Sequence, residues 1–167
     1  MTVIDIHTHV FTEAMIAAVQ KAAPSLKLQL KPIDRDTAML GMVDVEPNSF
    51  PRKGWDIEQR LADMDAAGVD VHLLCNIPHT FLYDEAAEMA AATSALLNDS
   101  IGALVRQHPK RFRGLATVPL QSPDLAIPER VRRHTRLRKA ILDDLVHRPV
   151  AVAVRKRRGA KLRSRTP

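Results

Sequence analysis

Two histidines spaced two residues apart, His7 and His9, stand near the start of a 167-residue chain, with Asp5 two residues ahead of them. The surrounding run, Val3-Ile4-Asp5-Ile6-His7-Thr8-His9-Val10-Phe11, reads as a short strand. Val3, Ile4 and Ile6 are apolar and β-branched, and a helical pattern begins at Thr12. Side chains on a strand alternate, so Asp5, His7 and His9 are expected on one face, and Ile4, Ile6 and Thr8 on the other. The two histidines then lie roughly 6.6 Å apart at Cα. Both imidazoles could reach one ion at metal–nitrogen bonds of about 2.0–2.1 Å, and imidazole suits zinc, iron, nickel or copper. The plainer alternative is a pair of solvated surface histidines. The apolar start of the strand, the aspartate beneath it and the position at the N-terminus favour a divalent-metal site.

Other residues with chemical potential lie further along. Arg52 closes a Pro- and Gly-rich segment, residues 24–54, and could meet an acidic substrate; a solvated loop arginine is the alternative. His72 falls inside an apolar strand and reads as a satisfied core or lumen histidine rather than a ligand. His79 follows that strand in Asn76-Ile-Pro-His-Thr-Phe-Leu-Tyr83. Loops at the C-terminal ends of barrel strands carry active sites, which places His79, Phe81 and Tyr83 toward a substrate.

The elements that must position these groups follow in order. Thr12 caps a helix running to Lys21 and ending before Pro24. Residues 24–54 show no sustained period and are expected as a long loop or small insertion, with a short strand at Leu26–Leu30. Asp56 to Ala67 carries Ile57, Leu61 and Met64 at helical spacing and stops at Gly68. Val69 to Cys75 is apolar enough for a parallel-sheet strand. Asp84 to Gln107 is a long Ala-rich helix, and Phe112 to Leu120 a third strand. This alternation predicts an α/β fold with βαβ repetition and a parallel sheet.

Three of these stretches carry a resemblance. Asp5-Ile-His-Thr-His-Val-Phe11 resembles the opening of the amidohydrolase superfamily, a metal-dependent group of (β/α)8 TIM-like barrels. Met64-Asp65-Ala-Ala-Gly68-Val69-Asp70-Val71 is similar to a segment of its decarboxylase-like branch, as is Asn98-Asp99 followed by His108-Pro-Lys-Arg-Phe-Arg-Gly-Leu-Ala-Thr-Val-Pro-Leu-Gln121. That branch includes amino-carboxymuconate-semialdehyde decarboxylase and aromatic-acid decarboxylases. The likeness implies decarboxylation or hydrolysis of a small carboxylated substrate. It implies His7 and His9 as two ligands of a divalent metal, zinc first, with Asp5 as a carboxylate that supports those ligands from behind or lines the lumen. It also implies Arg52 as the partner of a substrate carboxylate; the family pattern does not require His79.

A complete barrel usually needs about 250 residues. The chain therefore accommodates about three of eight strands, and an incomplete barrel is expected. The histidine and aspartate ligands that the family draws from later strands, and its later histidine base, have no counterpart. Weak metal affinity and no turnover by the chain alone are the expectation.

Charge divides the chain. Residues 1–127 hold 11 Lys+Arg against 16 Asp+Glu, and residues 128–167 hold 14 against 3, so the net charge of +6 averages −5 and +11. All six aromatic residues lie at or before Phe112. Residues 1–127 are therefore expected as the partial barrel, with 24–54 inserted, and 128–167 as a basic, poorly ordered tail. Two explanations compete for the tail. Clustered Lys and Arg could bind nucleic acid by counterion release. Alternatively the reading frame is lost near Ile127, since out-of-frame GC-rich DNA yields Arg, Ala and Pro and no aromatic platform for bases is present. The second is favoured. No signal peptide or membrane-length apolar run is found, and the single cysteine, Cys75, excludes an internal disulfide. A cytoplasmic protein is expected.

Overall fold

A computed structural model describes residues 2–43 and 45–129. Two three-stranded sheets and three main helices make up this part. The parallel sheet contains β1 (Ile4–His9), β5 (Val71–Cys75) and β6 (Phe112–Gly114), side by side in chain order. Between β1 and β5 run helix α1 (Glu13–Ala22), the antiparallel strands β2 (Gln29–Pro32), β3 (Thr37–Met42) and β4 (Val45–Pro51), and helix α2 (Ile57–Ala67). Helix α3 (Ala87–Gln107) connects β5 to β6. The architecture is an incomplete (β/α)8 barrel, with three of its parallel strands among the described residues.

Local chemistry sets these boundaries. The Thr12 side chain accepts from the Met15 N–H, and that of Asp56 from the Gln59 N–H, so both helices start on side-chain caps. Helix α2 stops at Gly68, whose φ of 65° gives a left-handed cap with its N–H on the carbonyls of Asp65 and Met64. Helix α3 begins at Ala87, three residues later than Asp84, and has no side-chain cap.

The apolar faces meet in one core. Phe11, Met15 and Val19 of the α1 region, Met64 of α2, Leu74 of β5, Leu97 and Ile101 of α3 and Phe112 of β6 are all essentially inaccessible to solvent. Burying a side chain of this size contributes about 1.5–3 kcal/mol each, which is why the short parallel strands hold their place.

Residues 24–54 depart from the expected loop with a strand at Leu26–Leu30. Leu26 closes a 3-10 turn, the strand lies at Gln29–Pro32, and the remainder forms an antiparallel meander of order β2-β3-β4. The prolines hide it from a periodicity reading. They sit on the two edge strands, where a missing N–H costs no ladder bond: Pro32 ends β2, Pro51 ends β4, and Pro47 lies in a bulge where the β3–β4 register shifts.

The third parallel strand is also shorter than Phe112–Leu120. After Gly114 the chain leaves the sheet, and Asn98 of α3 takes over as partner. Its Oδ1 accepts from the Thr117 N–H at 2.9 Å, and its Nδ2 donates to the Thr117 carbonyl at 2.8 Å. Strands β1 and β6 are thus the two edges of the sheet. Ile6, Leu115 and Leu120, on or just after them, are 57%, 48% and 65% exposed, as for barrel strands lacking their neighbours.

Residues 123–129 are helical and cross the compositional boundary at Ile127. Glu129 is buried, and its Oε1 accepts from Asn98 Nδ2 at 2.8 Å. The basic tail, on which the nucleic-acid reading rested, lies outside the described residues from 130 onward. Among the described residues no helix is long and apolar enough to cross a membrane.

Candidate metal centre

Parallel pairing brings the C-terminal ends of β1 and β5 to one end of the sheet, with His9 opposite Cys75. This is the end at which barrel enzymes place their chemistry. The register slips between Asp5 and Thr8, where three steps on β1 match two on β5. The bulge breaks the strict alternation expected of Asp5, His7 and His9, yet the two imidazoles converge. Their Nε2 atoms lie 3.1 Å apart, with the rings edge to face and their centroids 4.9 Å apart.

The surroundings fix how these rings can act. His9 Nδ1 lies 2.8 Å from the Asn76 carbonyl, which can only accept, so Nδ1 carries the proton and the Nε2 lone pair faces His7. This is the usual preparation of a ligating imidazole, a backbone acceptor on the far nitrogen. The 3.1 Å gap is short enough for one ion, at bonds of about 2.0–2.1 Å, to touch both nitrogens. The donor pair therefore fits a divalent metal. His7 is exposed and His9 half-buried, so the pair is open on one side.

Asp5 does not contact the imidazoles through its carboxylate; its Oδ1 accepts from the His7 backbone N–H at 3.1 Å and steadies the bulge. Arg60 of α2, only 4% exposed, donates to the His9 backbone carbonyl and lies 3.3 Å from His72 Nδ1. Burial pulls the Arg60 guanidinium down to about 10, which leaves it charged at neutral pH. Burial first, and then the charge of Arg60, push His72 down to about 4, so it is a neutral packing partner of Arg60.

The remaining candidates are scattered. Arg52 occupies a 3-10 turn after β4, where its Nε donates to Asp56 Oδ2 at 2.8 Å and its Nη1 approaches the Arg35 carbonyl. His79 is exposed on a 3-10 turn (Pro78–Thr80), in a small recess against Leu40 and Asn48 of the antiparallel sheet. Phe81 and Tyr83 stack on each other with centroids 5.5 Å apart. What the sequence reading missed is Cys75. Its Sγ lies 3.4 Å from His9 Nδ1, and His7, His9 and Cys75 offer donor atoms all within 4.8 Å of one another. The available signal was that Cys75 ends its strand just as His9 ends β1.

With the fold and the histidine pair in place, the class is settled: this chain belongs to the amidohydrolase family, whose model matches residues 4–140. Its likeness is to the decarboxylase-like branch. It is 33% identical over 89 residues to 2-amino-3-carboxymuconate-6-semialdehyde decarboxylase of Dictyostelium discoideum, covering 53% of this chain and 23% of that protein. For the Caenorhabditis elegans protein of the same name the identity is 32% over 83 residues, covering 50% and 20%. The match spans less than a quarter of either relative. Among solved structures, 5-carboxyvanillate decarboxylase from Sphingomonas paucimobilis superposes at a TM-score of 0.58 and 26% identity, covering 82% of this chain and 40% of that one. A dihydroxybenzoic acid decarboxylase from a Polaromonas species, with bound manganese and the inhibitor 2-nitroresorcinol, gives 0.56 at 24%, covering 82% and 36%, and shares the fold.

Proposed function

We propose that this chain forms the first part of a metal-dependent amidohydrolase-type barrel whose parent activity is decarboxylation or hydrolysis of a small carboxylated substrate. The observation that carries the reading is the convergence of His7 and His9 Nε2, 3.1 Å apart, at the C-terminal end of the first parallel strand. Relatives named for carboxylated substrates support the substrate class.

In this reading His7 and His9 hold a divalent ion through Nε2, and zinc is the choice their donor chemistry favours. The ion when bound supplies Lewis acidity, orienting a carboxylate or activating water. The Asn76 carbonyl holds the proton on His9 Nδ1, and Asp5 steadies the His7 backbone. Arg52 is the carboxylate partner: its pair with Asp56 is 36% and 23% exposed. A surface pair of this kind is worth less than about 1 kcal/mol and can yield to a substrate anion. His79 lines the outer approach.

The 167-residue polypeptide by itself is proposed to be inactive, because its described residues supply no third histidine and no aspartate on the imidazole pair. Residues 1–127 are read as the partial barrel, with 24–54 inserted, and the tail as out-of-frame sequence in a cytoplasmic protein. Glu129, two residues past Ile127, hydrogen-bonds Asn98, which supports an in-frame chain up to the neighbourhood of that boundary.

Two experiments test these readings. Calorimetric titration with Zn²⁺ should show one ion per chain, lost in the His7→Ala/His9→Ala double variant; equal binding by that variant sinks the site. Sequencing the coding DNA across codons 120–135 and translating every frame should recover a continuing helix, a strand and further His and Asp residues. If no frame does so, the tail is genuine.

A further inference from the structure

The carbonyl that takes the His9 Nδ1 proton belongs to Asn76, the first residue past β5. The sheet does not fix that carbonyl. One residue earlier the Cys75 carbonyl accepts from the Val10 N–H at 3.1 Å, and one residue later the Ile77 carbonyl accepts from the Thr80 N–H at 3.0 Å. Asn76 is held instead by its side chain, 1% exposed, whose Nδ2 donates to Thr117 Oγ1 at 3.2 Å. Its Oδ1 has no partner among the described residues, so Thr117 is the one polar anchor of that side chain. Thr117 has itself left β6, and the buried Asn98 amide of α3 takes both its N–H and its carbonyl. Three side chains from three segments thus stand in line behind one ring nitrogen. Cys75 Sγ, 3.4 Å from that nitrogen, is a weaker competing acceptor.

We propose that Asn76, Thr117 and Asn98 are positioning residues for His9: together they fix the Asn76 carbonyl, which keeps the proton on Nδ1 and leaves the Nε2 lone pair facing His7. The inference rests on the histidine-pair reading above and deepens it by naming what holds one half of the pair in its ligating form. A neutral imidazole carries its proton on either nitrogen, and the hydrogen bond at the far nitrogen decides which. With that carbonyl free to turn away, both forms become populated, and the Nε2–H form offers no lone pair on the side facing His7. The line also joins the ends of β5 and β6, since Asn76 and Thr117 lie 41 residues apart in sequence. Buried polar groups linked in this way act as a unit, because each one left unpaired is costly.

The test uses the full 167-residue chain, isotope-labelled for NMR. Long-range proton–nitrogen correlation spectra identify which nitrogen of His9 carries the proton, and titration with Co²⁺ followed by absorption gives the affinity of the pair. The parent chain should show the Nδ1–H form. Thr117→Val keeps the shape but removes the hydroxyl; it should populate the Nε2–H form and weaken Co²⁺ binding by about tenfold. Thr117→Ser keeps the hydroxyl and loses the methyl group, and it should match the parent in both readouts; a packing role predicts the opposite order. A folded Thr117→Val with the parent's tautomer and affinity overturns the proposal. A scalar coupling across the hydrogen bond from His9 Nδ1 to the Asn76 carbonyl, measured in the parent, needs no variant to fold, and its absence overturns the proposal as well. If the parent chain binds no Co²⁺ at millimolar concentration, the metal reading falls alone, and the His9 tautomer in Thr117→Val still decides the positioning.

Discussion

Arg60 donates through Nη2 to the backbone carbonyl of His9, tying the middle of α2 to the end of β1 across 51 residues of sequence. Among the described residues no carboxylate lies within ion-pair distance of this guanidinium, and its Nε has no hydrogen-bond partner. A buried charge is costly unless hydrogen-bonded, and here backbone and imidazole take the place of a counterion. Truncation to alanine leaves the His9 carbonyl unpaired and opens a cavity. Arg60→Ala should therefore cost about 2–4 kcal/mol in urea unfolding. If His9 is the ligand proposed above, the substitution should also weaken Co²⁺ binding by about 10–100-fold, because the His9 backbone loses its support. Unchanged affinity in a folded variant would show that Arg60 serves packing alone.

His72 provides a pH signature. Its folded value near 4 lies below the unfolded value of about 6.5, so the unfolded chain binds the extra proton. Its stabilising contribution is complete above about pH 6.5, declines as pH falls toward 4 and changes no further below that. The ring is only half-buried, so solvent screening reduces the loss to about 1–2 kcal/mol. Unfolding free energies measured from pH 7 to pH 4 should fall more steeply for the parent chain than for His72→Gln. Parallel curves for the two proteins would contradict this assignment.

Two glycines should respond differently to the same substitution. At Gly68 a Cβ would meet nothing within 4 Å, yet φ is +65°. The cost of Gly68→Ala is then conformational, about 1 kcal/mol. At Gly114 a Cβ would stand 2.7 Å from Ile101 Cγ2, with no positive φ involved. Gly114→Ala forces β6 and α3 apart, at about 1–3 kcal/mol. Gly114→Ala should cost less in an Ile101→Ala background, which lacks Cγ2, whereas the Gly68→Ala penalty should be the same in both backgrounds. Thermal denaturation of the parent, the three single variants and the two double variants decides it.

What the sequence made legible follows from range. The caps at Thr12, Asp56 and Gly68, the helical spacing of α2 and the His7–His9 pair depend on neighbours a few residues away, so periodicity and residue type suffice. The meander at 29–51 was missed because its prolines are tolerated only on edge strands, and edge status is a property of the folded sheet. Cys75 and Arg60 were missed for a related reason. Each reaches His9 through a register or a crossing more than 50 residues long, and one chain read in order contains no such distance.

The short third strand gives the last prediction. Asn98 is 3% exposed and makes three hydrogen bonds, two to the Thr117 backbone and one to Glu129 Oε1. It thus ties Thr117, just past β6, and Glu129 of the helical residues 123–129 to the same side chain of α3. Asn98→Leu fills similar volume but removes the partner of the Thr117 N–H and carbonyl and one bond to Glu129, at about 2–4 kcal/mol. Asn98→Asp keeps the acceptor for the Thr117 N–H, but loses both donations and sets a second carboxylate against Glu129; it should be no milder near neutral pH and should recover as pH falls and the carboxylates protonate. Amide exchange should report the loss locally, with protection falling at Thr117 and Leu125 while Met64 and Leu74 stay protected. If protection falls evenly across the core, Asn98 is an ordinary packing residue and 115–129 folds with the sheet.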